Sequence, residues 1–326
     1  MNSERWAQLS QAVFPDIIEL HLTNFCNHAC TWCVADEVRK NNWSFKKSDA
    51  VKLLTEMAEV GVDVVLFSGG GDPLMFKGIE DLLVHSYNLG ISNRLITNGS
   101  RITEKNVEVI AKHCELIRIS LDAGNEEAHT AIHRPKNGKI DNFHRIIYNL
   151  ELLMREINGK SLSTKVILTF VMIDESIDSI SEFIELAEKL GVHKIEFKTN
   201  HFWPPDRKKD AYSYIKKFVQ SIEKTNVEIT FEEPKPRFSD EYDNYGAMWS
   251  SFFVSAVIEA NGDLYPCCHK SLQPQWFLGN VLKTNFSDAW RGPERLKVVE
   301  RMLNEKEKCS TCLEGTYNKI LNNIFS

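Results

Sequence analysis

Residues 17–33 have the sequence IIELHLTNFCNHACTWC, and the interpretation of the whole chain starts from this stretch. Its first six residues are mostly apolar and partly β-branched, which predicts a strand. The residues that follow are rich in Asn and Thr, a composition typical of a loop. This loop holds Cys26, Cys30 and Cys33 in the spacing C-x3-C-x2-C. We therefore expect a strand followed by a loop that presents three thiols.

Three thiols at this spacing allow three interpretations. On a helix they would share one face and be buried core residues, although the loop composition argues against a helix. Structural zinc takes four ligands, and His28 would be the fourth at the cost of a strained tetrahedron. A 4Fe–4S cluster held by three thiolates leaves one iron without a protein ligand, which suits a cluster that binds a small molecule. We expect the cluster, with zinc and core thiols as the alternatives.

Composition excludes several classes of protein. The chain has 326 residues, a formal net charge of −6 and eight cysteines, too few for a secreted disulfide scaffold of this length. Its apolar runs are too short to span a bilayer, and no signal peptide precedes residue 14. A slightly acidic chain without a basic run is a poor nucleic-acid binder. We expect a cytoplasmic protein with no nucleic-acid and no membrane partner.

Beyond the cysteine loop, helical and strand patterns alternate. Strands are predicted at 17–22, 63–67, 93–96, 116–121, 164–172 and 194–197, and helices at 45–60, 79–89, 104–113, 142–157 and 179–190. This alternation predicts an α/β fold, a partial (β/α)6 TIM-like barrel with six parallel strands instead of the eight of a closed barrel. Chemistry is then expected at the carboxyl ends of the strands.

Two further segments complete the predicted organisation. Residues 1–200 form the barrel, and residues 201–250 form a linker with some structure, including a helix at 211–224 and a strand at 228–231. Residues 251–326 form a small α+β unit whose Asn-Gly-Asp turn at 261–263 predicts a hairpin. This last unit carries four more cysteines: Cys267, Cys268, Cys309 and Cys312.

A glycine-rich segment, SGGGDPL at residues 68–74, follows the second strand. Exposed N–H groups in such a loop bind a carboxylate, and Asp72 can accept hydrogen bonds from an ammonium group. A tight strand-to-helix turn is the simpler alternative, because a glycine-rich loop is weak support by itself.

Together, the cysteine motif and Gly70-Gly71-Asp72-Pro73 resemble the radical S-adenosylmethionine (radical SAM) superfamily over about residues 17–200. Asp72 stands where that family usually has Glu, and Gly69 is an additional glycine. The resemblance implies that Cys26, Cys30 and Cys33 bind three irons of a 4Fe–4S cluster. It also implies that the methionyl amine and carboxylate of S-adenosylmethionine chelate the fourth iron.

The resemblance also implies roles for single residues. Gly70, Gly71 and Asp72 would contact the methionyl amine, and Trp32 the adenine. Arg134 would pair with the methionyl carboxylate, with a solvated surface residue as the alternative. Three residues at strand ends resemble family positions that face the cofactor or substrate: Asn98, Ser120 and Asp122. A plain turn-former is the alternative for Asn98.

The C-terminal unit resembles the SPASM/twitch appendage of the same superfamily, in segments 262–268, 278–281, 289–290 and 309–312. Its four cysteines, where a full SPASM pattern has about seven, imply the shorter twitch form with one auxiliary 4Fe–4S cluster. Cys267 and Cys268 are adjacent, so both ligate only with a twisted backbone. The alternative leaves one of them unligated, with His269 or substrate completing the site. Zinc and a purely structural thiol cluster are further alternatives.

The function implied is reductive cleavage of S-adenosylmethionine to a 5′-deoxyadenosyl radical that abstracts hydrogen from the substrate. The predicted reaction is a two-electron oxidation of a small polar substrate such as an aminocyclitol, sugar or glycoside, assisted by the auxiliary cluster. The first core strand begins at residue 17, which leaves no room for a leader-binding domain and favours a small substrate. The electron donor would be a flavodoxin or ferredoxin.

Alternatives to this function remain. One is a peptide (RiPP) maturase, and another is an epimerase in which a thiol, Cys268, Cys267 or Cys114, returns hydrogen to the substrate. A metal-binding module without enzyme activity is the third. Cys114 is expected to be a core thiol. Candidate substrate contacts are Lys198, His201, Trp203, Glu259 and His269.

Overall fold

The computed structural model describes residues 12–138, 142–222, 225–232 and 254–305. Cys309 and Cys312, two predicted ligands of the auxiliary cluster, lie outside the described residues. Among the residues that are described, no helix is both long and apolar enough to cross a lipid bilayer.

Ten strands form a single sheet in this part of the chain. They are β1 (Ile17–His21), β2 (Val64–Ser68), β3 (Ser92–Thr97), β4 (Leu116–Ser120), β5 (Lys165–Met172), β6 (Lys194–Thr199), β7 (Glu228–Phe231), β8 (Ser255–Ile258), β9 (Asp263–Tyr265) and β10 (Gly279–Asn280). Strands β1 to β7 are parallel and adjacent in chain order. At the other edge β8 pairs in parallel with β1, and β9 and β10 continue antiparallel.

The helices are α1 (Asp36–Arg39), α2 (Lys47–Glu59), α3 (Ile79–Asn88), α4 (Val107–His113), α5 (Glu126–His133), α6 (Phe143–Gly159), α7 (Ile180–Leu190), α8 (Pro205–Gln220), α9 (Phe286–Arg291) and α10 (Pro293–Glu305). Helices α1 to α8 lie between the parallel strands along the chain, and α9 and α10 follow β10. All six predicted βα strands are present, and the predicted strand at 228–231 joins the sheet as β7.

The sheet is open, since no pairing joins β7 to β10 among the described residues. This confirms the predicted α/β class and partial barrel. It extends the six expected parallel strands by β7 at one edge and β8 at the other. Helix α5 has no counterpart in the sequence prediction.

Alternation along the strands separates an apolar face from a polar one. In β4, Ile117 and Ile119 have no exposed surface and belong to the core shared with the helices, whereas Arg118 between them is half-buried on the other face. In β1, Ile18 and Leu20 are likewise buried, and Glu19 points to the opposite side. The polar face is the concave side of the partial barrel.

Candidate active site

The cysteine loop lies on the C-terminal end of α5. Backbone N–H groups of Ala29 and Thr31 donate to the carbonyls of His133 and Ile132, at 3.1 and 2.9 Å. These carbonyls belong to the last turn of α5, where backbone acceptors have no partner inside the helix. The Lys136 ammonium donates to the Cys26 carbonyl at 2.9 Å. The helix end thus fixes the backbone between Cys26 and Cys33.

The glycine-rich loop packs directly against the same segment. The N–H of Gly71 donates to the carbonyl of Thr23, and that of Asp72 to the carbonyl of Phe25, at 3.0 and 2.9 Å. A Cβ on Gly71 would lie 2.1 Å from the Phe25 oxygen, and one on Gly70 would lie 2.6 Å from Oδ1 of Asn24. Gly71 is therefore needed for the approach of the two loops, because its neighbours are backbone atoms, whereas Gly70 meets side-chain atoms of Asn24 and Val38.

Asp72 is buried, and its carboxylate is bound by groups of the chain itself. It accepts hydrogen bonds from Oγ1 of Thr97 at 3.0 and 2.8 Å, from the N–H of Asn98 at 2.8 Å and from that of Leu74 at 2.9 Å. Burial raises the pKa of Asp72, and the hydrogen bonds to its carboxylate partly offset this increase. Its carboxylate links the ends of β2 and β3.

Asn98 bridges the end of β3 to the cysteine loop. Its Nδ2 donates to Oδ1 of Asn27 at 2.9 Å, and Asn27 donates to Oγ of Ser100 at 2.7 Å. All three side chains are buried. The three loops that follow β1, β2 and β3 are thereby joined by hydrogen bonds into one unit at the carboxyl edge of the sheet.

The three thiols of the loop interact electrostatically. Burial, followed by the charges of Cys33 and Cys26, raises the pKa of the Cys30 thiol well above its usual value. Burial and then the Asp72 carboxylate raise the pKa of Cys26. Burial alone would lower the pKa of Arg39, but the thiolates of Cys33 and Cys26 raise it. Such thiols ionise when a cation compensates their charge, as metal ligands do.

A cluster of three buried histidines lies behind Cys30. Nδ1 of His133 is 3.3 Å from the Cys30 sulfur and 3.4 Å from Nδ1 of His28. The ring of His129 stacks on that of His133 at a centroid distance of 4.4 Å. Burial, followed by His133 and His28, lowers the pKa of His129 to about 2, so His129 is neutral.

The remaining predicted cofactor contacts lie around this cluster. Trp32 is half-buried and meets His133 edge-on at 4.8 Å, and Asp122 is fully buried with Oδ2 3.3 Å from Nε2 of His133. Ser120 ends β4 and is half-buried. Arg134 caps α5 in the left-handed conformation, φ 47°, and is exposed. Of these four residues, Trp32 and Asp122 contact the histidine cluster.

Two charged groups line the concave face. Near β6, Lys198 lies 3.3 Å from Glu196 and 3.5 Å from Glu232, and Arg118 lies 3.7 Å from Glu196. All four side chains keep part of their surface exposed. A polar substrate in the partial barrel would therefore meet both charge signs.

The second group joins β1 to the C-terminal unit. His21 is 3.0 Å from Glu259 through Nδ1 and 3.2 Å from Glu19 through Nε2, and Ser68 donates to Glu19 at 2.6 Å. Burial alone would lower the pKa of His21, but the two carboxylates raise it to about 10. Glu259, a predicted substrate contact, is here the buried partner of His21.

The C-terminal cysteines differ in exposure. Cys267 is half-buried and Cys268 exposed, directly after β9.

Other residues singled out in the sequence lie elsewhere in the chain. Trp203 is buried in the core, and the Arg207 guanidinium lies 4.2 Å above its ring. His201 is half-buried and accepts a hydrogen bond from Lys208 through its carbonyl. Cys114 is buried, as expected, and burial raises its pKa to about 12.

The donor set fits a 4Fe–4S cluster with three protein ligands. Cys26, Cys30 and Cys33 are three half-buried thiols on one loop, and Arg39 places a positive charge near all three. A second set of donors overlaps this loop. It consists of His28, Cys30 and His133, whose ligand atoms lie within 4.8 Å of one another, close enough to hold a metal ion such as zinc.

Sequence reasoning missed Arg39, Asn27 and His133. Asn27 lies within the cysteine loop, but its buried partners come from the loop after β3, so no local signal marks it. His133 lies on α5, and the sequence does carry a signal for that helix. Asn125 followed by two acidic residues is typical of a helix start, and Pro135 lies just beyond the helix end.

Two protein-family models match the chain, and both describe proteins of the kind that this cysteine site indicates. A family model described as the Radical SAM superfamily matches residues 20–187, more than half of the chain. A second model, SPASM, described as an iron-sulfur cluster-binding domain, matches residues 251–313. The two matches imply 4Fe–4S clusters and S-adenosylmethionine as cofactors, which confirms the cofactors expected from the sequence.

Several known proteins resemble the chain at low identity. The S-adenosylmethionine-dependent nucleotide dehydratase of Lacinutrix mariniflava is 26% identical over an aligned region that covers 44% of this chain. The same region covers only 34% of the dehydratase. The mycofactocin maturase MftC of Mycolicibacterium smegmatis is 22% identical over 91% of this chain and 74% of its own length. Streptococcus suis SuiB bound to S-adenosylmethionine aligns with a TM-score of 0.66 at 18% identity, over 87% of this chain and 67% of SuiB.

Proposed function

Because the chain belongs to the radical SAM superfamily, we propose that it oxidises a small polar substrate by abstracting a hydrogen atom from it. When bound, the cluster supplies the electron that cleaves S-adenosylmethionine to methionine and the abstracting 5′-deoxyadenosyl radical. The observation that carries this proposal is the loop that presents the thiols of Cys26, Cys30 and Cys33 and is hydrogen-bonded to the glycine-rich loop.

The chain's own residues would bind and orient the cofactor. Cys26, Cys30 and Cys33 hold the cluster, and the loop of Gly70 and Gly71 lies beside it through its contacts to Thr23 and Phe25. Because the Asp72 carboxylate is bound to the end of β3, we assign contact with the methionyl amine to the backbone around Gly70 and Gly71.

Five more residues would complete the cofactor site. Asn98 and Asp122 are buried beside the cysteine loop, and Trp32 and Ser120 are half-buried at its edge. Trp32 offers the adenine an aromatic surface, and Arg134 at the end of α5 offers the methionyl carboxylate a guanidinium.

The substrate would lie on the concave face. Lys198, Arg118 and Glu196 present both charge signs there and remain partly exposed. Hydroxyl and amino groups, as in aminocyclitols and sugars, match such a lining. A two-electron oxidation needs a second electron acceptor, which we assign to an auxiliary cluster held by Cys267, Cys268, Cys309 and Cys312.

Peptide maturation is the second candidate. It is favoured by the match of MftC, a maturase, to 91% of this chain, and by the similar fold of SuiB, which has been solved bound to its precursor peptide SuiA. A third possibility, epimerisation, would use the exposed Cys268 as the hydrogen donor to the substrate.

Anaerobic reconstitution followed by reduction tests the cofactor chemistry. We expect about eight irons per chain for two clusters, little zinc, and formation of 5′-deoxyadenosine. Cys30→Ala should abolish deoxyadenosine formation, and Cys114→Ala, which removes a thiol outside the site, should leave it unchanged. Zinc in place of iron, or full activity of Cys30→Ala, would refute the assignment.

The substrate class is tested by product mass. Incubation with aminocyclitols, sugars and glycosides should give a product two hydrogens lighter, whereas turnover of precursor peptides alone would replace the first candidate with the second. Deuterium taken from solvent into an otherwise unchanged product would identify an epimerase and give Cys268 its role.

A further inference from the structure

Arg39, the last residue of α1, reaches back to the cysteine loop. Its Nη1 donates a hydrogen bond to the carbonyl of His28 at 3.0 Å, and its side chain is only 11% exposed. His28 lies between Cys26 and Cys30 in the sequence, so the guanidinium contacts the backbone that connects these two thiols. Arg39 takes no part in the function proposed above.

Helix α1 itself connects Arg39 to the third thiol. The N–H of Asp36 donates to the carbonyl of Cys33 at 3.4 Å, and the N–H of Arg39 donates to the carbonyl of Ala35 at 3.0 Å. The helix has four residues, about one turn, so the chain returns to the cysteine loop soon after Cys33. Arg39 thereby places its positive charge near all three thiols.

The end of α1 is also bound from the side of β1. Nδ2 of the buried Asn24 donates to the carbonyls of Val38 and Asn41, both at 3.0 Å. These carbonyls stand at the C-terminal end of α1, where backbone acceptors have no partner inside the helix. Asn24 lies between β1 and the first thiol, so the loop that presents the thiols also fixes the backbone around Arg39.

The charge of Arg39 faces the loop with little screening by water. Its ion-pair partner Asp36 lies 2.9 Å away, but the Asp36 side chain is 72% exposed, against 11% for Arg39. Water screens an exposed charge much more strongly than a buried one, so the pair leaves a positive charge toward the thiols. An arginine side chain stays protonated throughout the pH range in which proteins are assayed.

We propose that Arg39 is a positioning residue that fixes the cysteine loop through the His28 carbonyl and, by its charge, makes the cluster easier to reduce. This rests on the proposed function, since it requires the 4Fe–4S cluster. Reduction adds one negative charge to a cluster that thiolates already hold, so a nearby cation stabilises the reduced form more than the oxidised form. One electron enters from an external one-electron donor, no proton moves, and no bond forms or breaks.

The test is the midpoint potential of the reconstituted protein, followed by electron paramagnetic resonance. The signal that changes on addition of S-adenosylmethionine identifies this cluster. Arg39→Gln keeps a hydrogen-bond donor but removes the charge, and we expect its cluster to be about tenfold harder to reduce, a shift of about 59 mV to lower potential. Arg39→Lys keeps the charge, and its reduction equilibrium should stay within about twofold of wild type.

Lys40→Gln is the matched control. Lys40 is the next residue along the chain and forms the same kind of ion pair, with Glu37 at 2.6 Å, but its side chain is 65% exposed. Because water screens this charge, its removal should leave the potential unchanged.

An unchanged potential in Arg39→Gln with full iron content would overturn the proposal, as would equal shifts in Arg39→Gln and Lys40→Gln. If Arg39→Gln does not bind its full iron, Arg39→Lys decides the question. A cluster that is tenfold harder to reduce in Arg39→Lys, or is lost there as well, overturns the proposal, because that variant keeps the charge. The proposed function fails separately, if wild-type protein forms no cluster or no deoxyadenosine.

Discussion

At the scale of single residues, Gly71 controls how closely the glycine-rich loop approaches the cysteine loop. An added Cβ would lie 2.1 Å from the Phe25 oxygen, and backbone atoms cannot turn aside as a side chain can. We expect Gly71→Ala to lower the free energy of unfolding by about 2 kcal/mol and to reduce the iron bound after reconstitution. Urea denaturation and iron analysis measure the two effects.

Gly159→Ala is the matched control for this change. Gly159 lies in α6, with no atom within 4 Å of the added Cβ, so alanine should be neutral or slightly stabilising there. Full iron content and unchanged stability in Gly71→Ala would show that the two loops do not depend on each other.

The contact of Asp72 with the methionyl amine stays a prediction, and the structure shows which groups hold its carboxylate. The sequence predicts an acid that contacts the methionyl amine, with one methylene less than the usual Glu. In the structure the shorter side chain turns toward β3, where Thr97 and the N–H of Asn98 bind it. The contact partners come from the next strand, which the sequence around Asp72 does not specify.

At the scale of elements, the βα alternation was predictable because each strand is a short apolar run between turn residues. Helix α5 was not predicted because it is short and only half of its buried residues are apolar. The buried residues are Ala128, His129, Ile132 and His133. Hydrophobic periodicity therefore gave no signal. The helix nonetheless supports the cysteine loop and carries His133.

The N-cap of α5 provides a test of this support. Oδ1 of Asn125 accepts a hydrogen bond from the N–H of Ala128 at 3.0 Å, and its loss costs about 1 kcal/mol. Because the carbonyls at the other end of α5 bind Ala29 and Thr31, we expect Asn125→Ala to release cluster iron to a chelator several-fold faster. Absorbance of the chelator–iron complex follows the rate.

Asn142→Ala is the control, since Asn142 caps α6 in the same way through the N–H of Arg145 at 2.9 Å. It should cost similar stability but leave iron release at the wild-type rate. Equal rates in the two variants would mean that general loosening, and not the α5 support, governs iron retention.

At the scale of the whole molecule, the C-terminal unit is joined to the barrel by hydrogen bonds. Strand β8 pairs with β1, the indole N–H of Trp290 donates to the Val13 carbonyl at 2.8 Å, and the N–H of Phe286 donates to Glu56 at 2.9 Å. The sequence predicted the hairpin from its Asn-Gly-Asp turn, but not its position beside β1. Pairing across more than 200 residues leaves no local pattern, unlike a turn or an apolar run.

His21 and Glu259 make this junction sensitive to pH, because they are 238 residues apart in sequence and 3.0 Å apart in space. The pKa of His21 is raised to about 10 by Glu19 and Glu259, against about 6.5 in an unfolded chain.

As the pH rises above 6.5, the folded state keeps the His21 proton that the unfolded state loses. The stabilisation that His21 contributes is therefore fully present below pH 6.5 and is lost as the pH rises toward 10. Between pH 7 and 9 the free energy of unfolding should fall by about 1.4 kcal/mol per pH unit from this group. Urea denaturation of the metal-free chain measures the slope, and His21→Gln should remove this contribution while the other titrating groups remain. A slope that is the same in both proteins would show that His21 is not held as a cation between the two carboxylates.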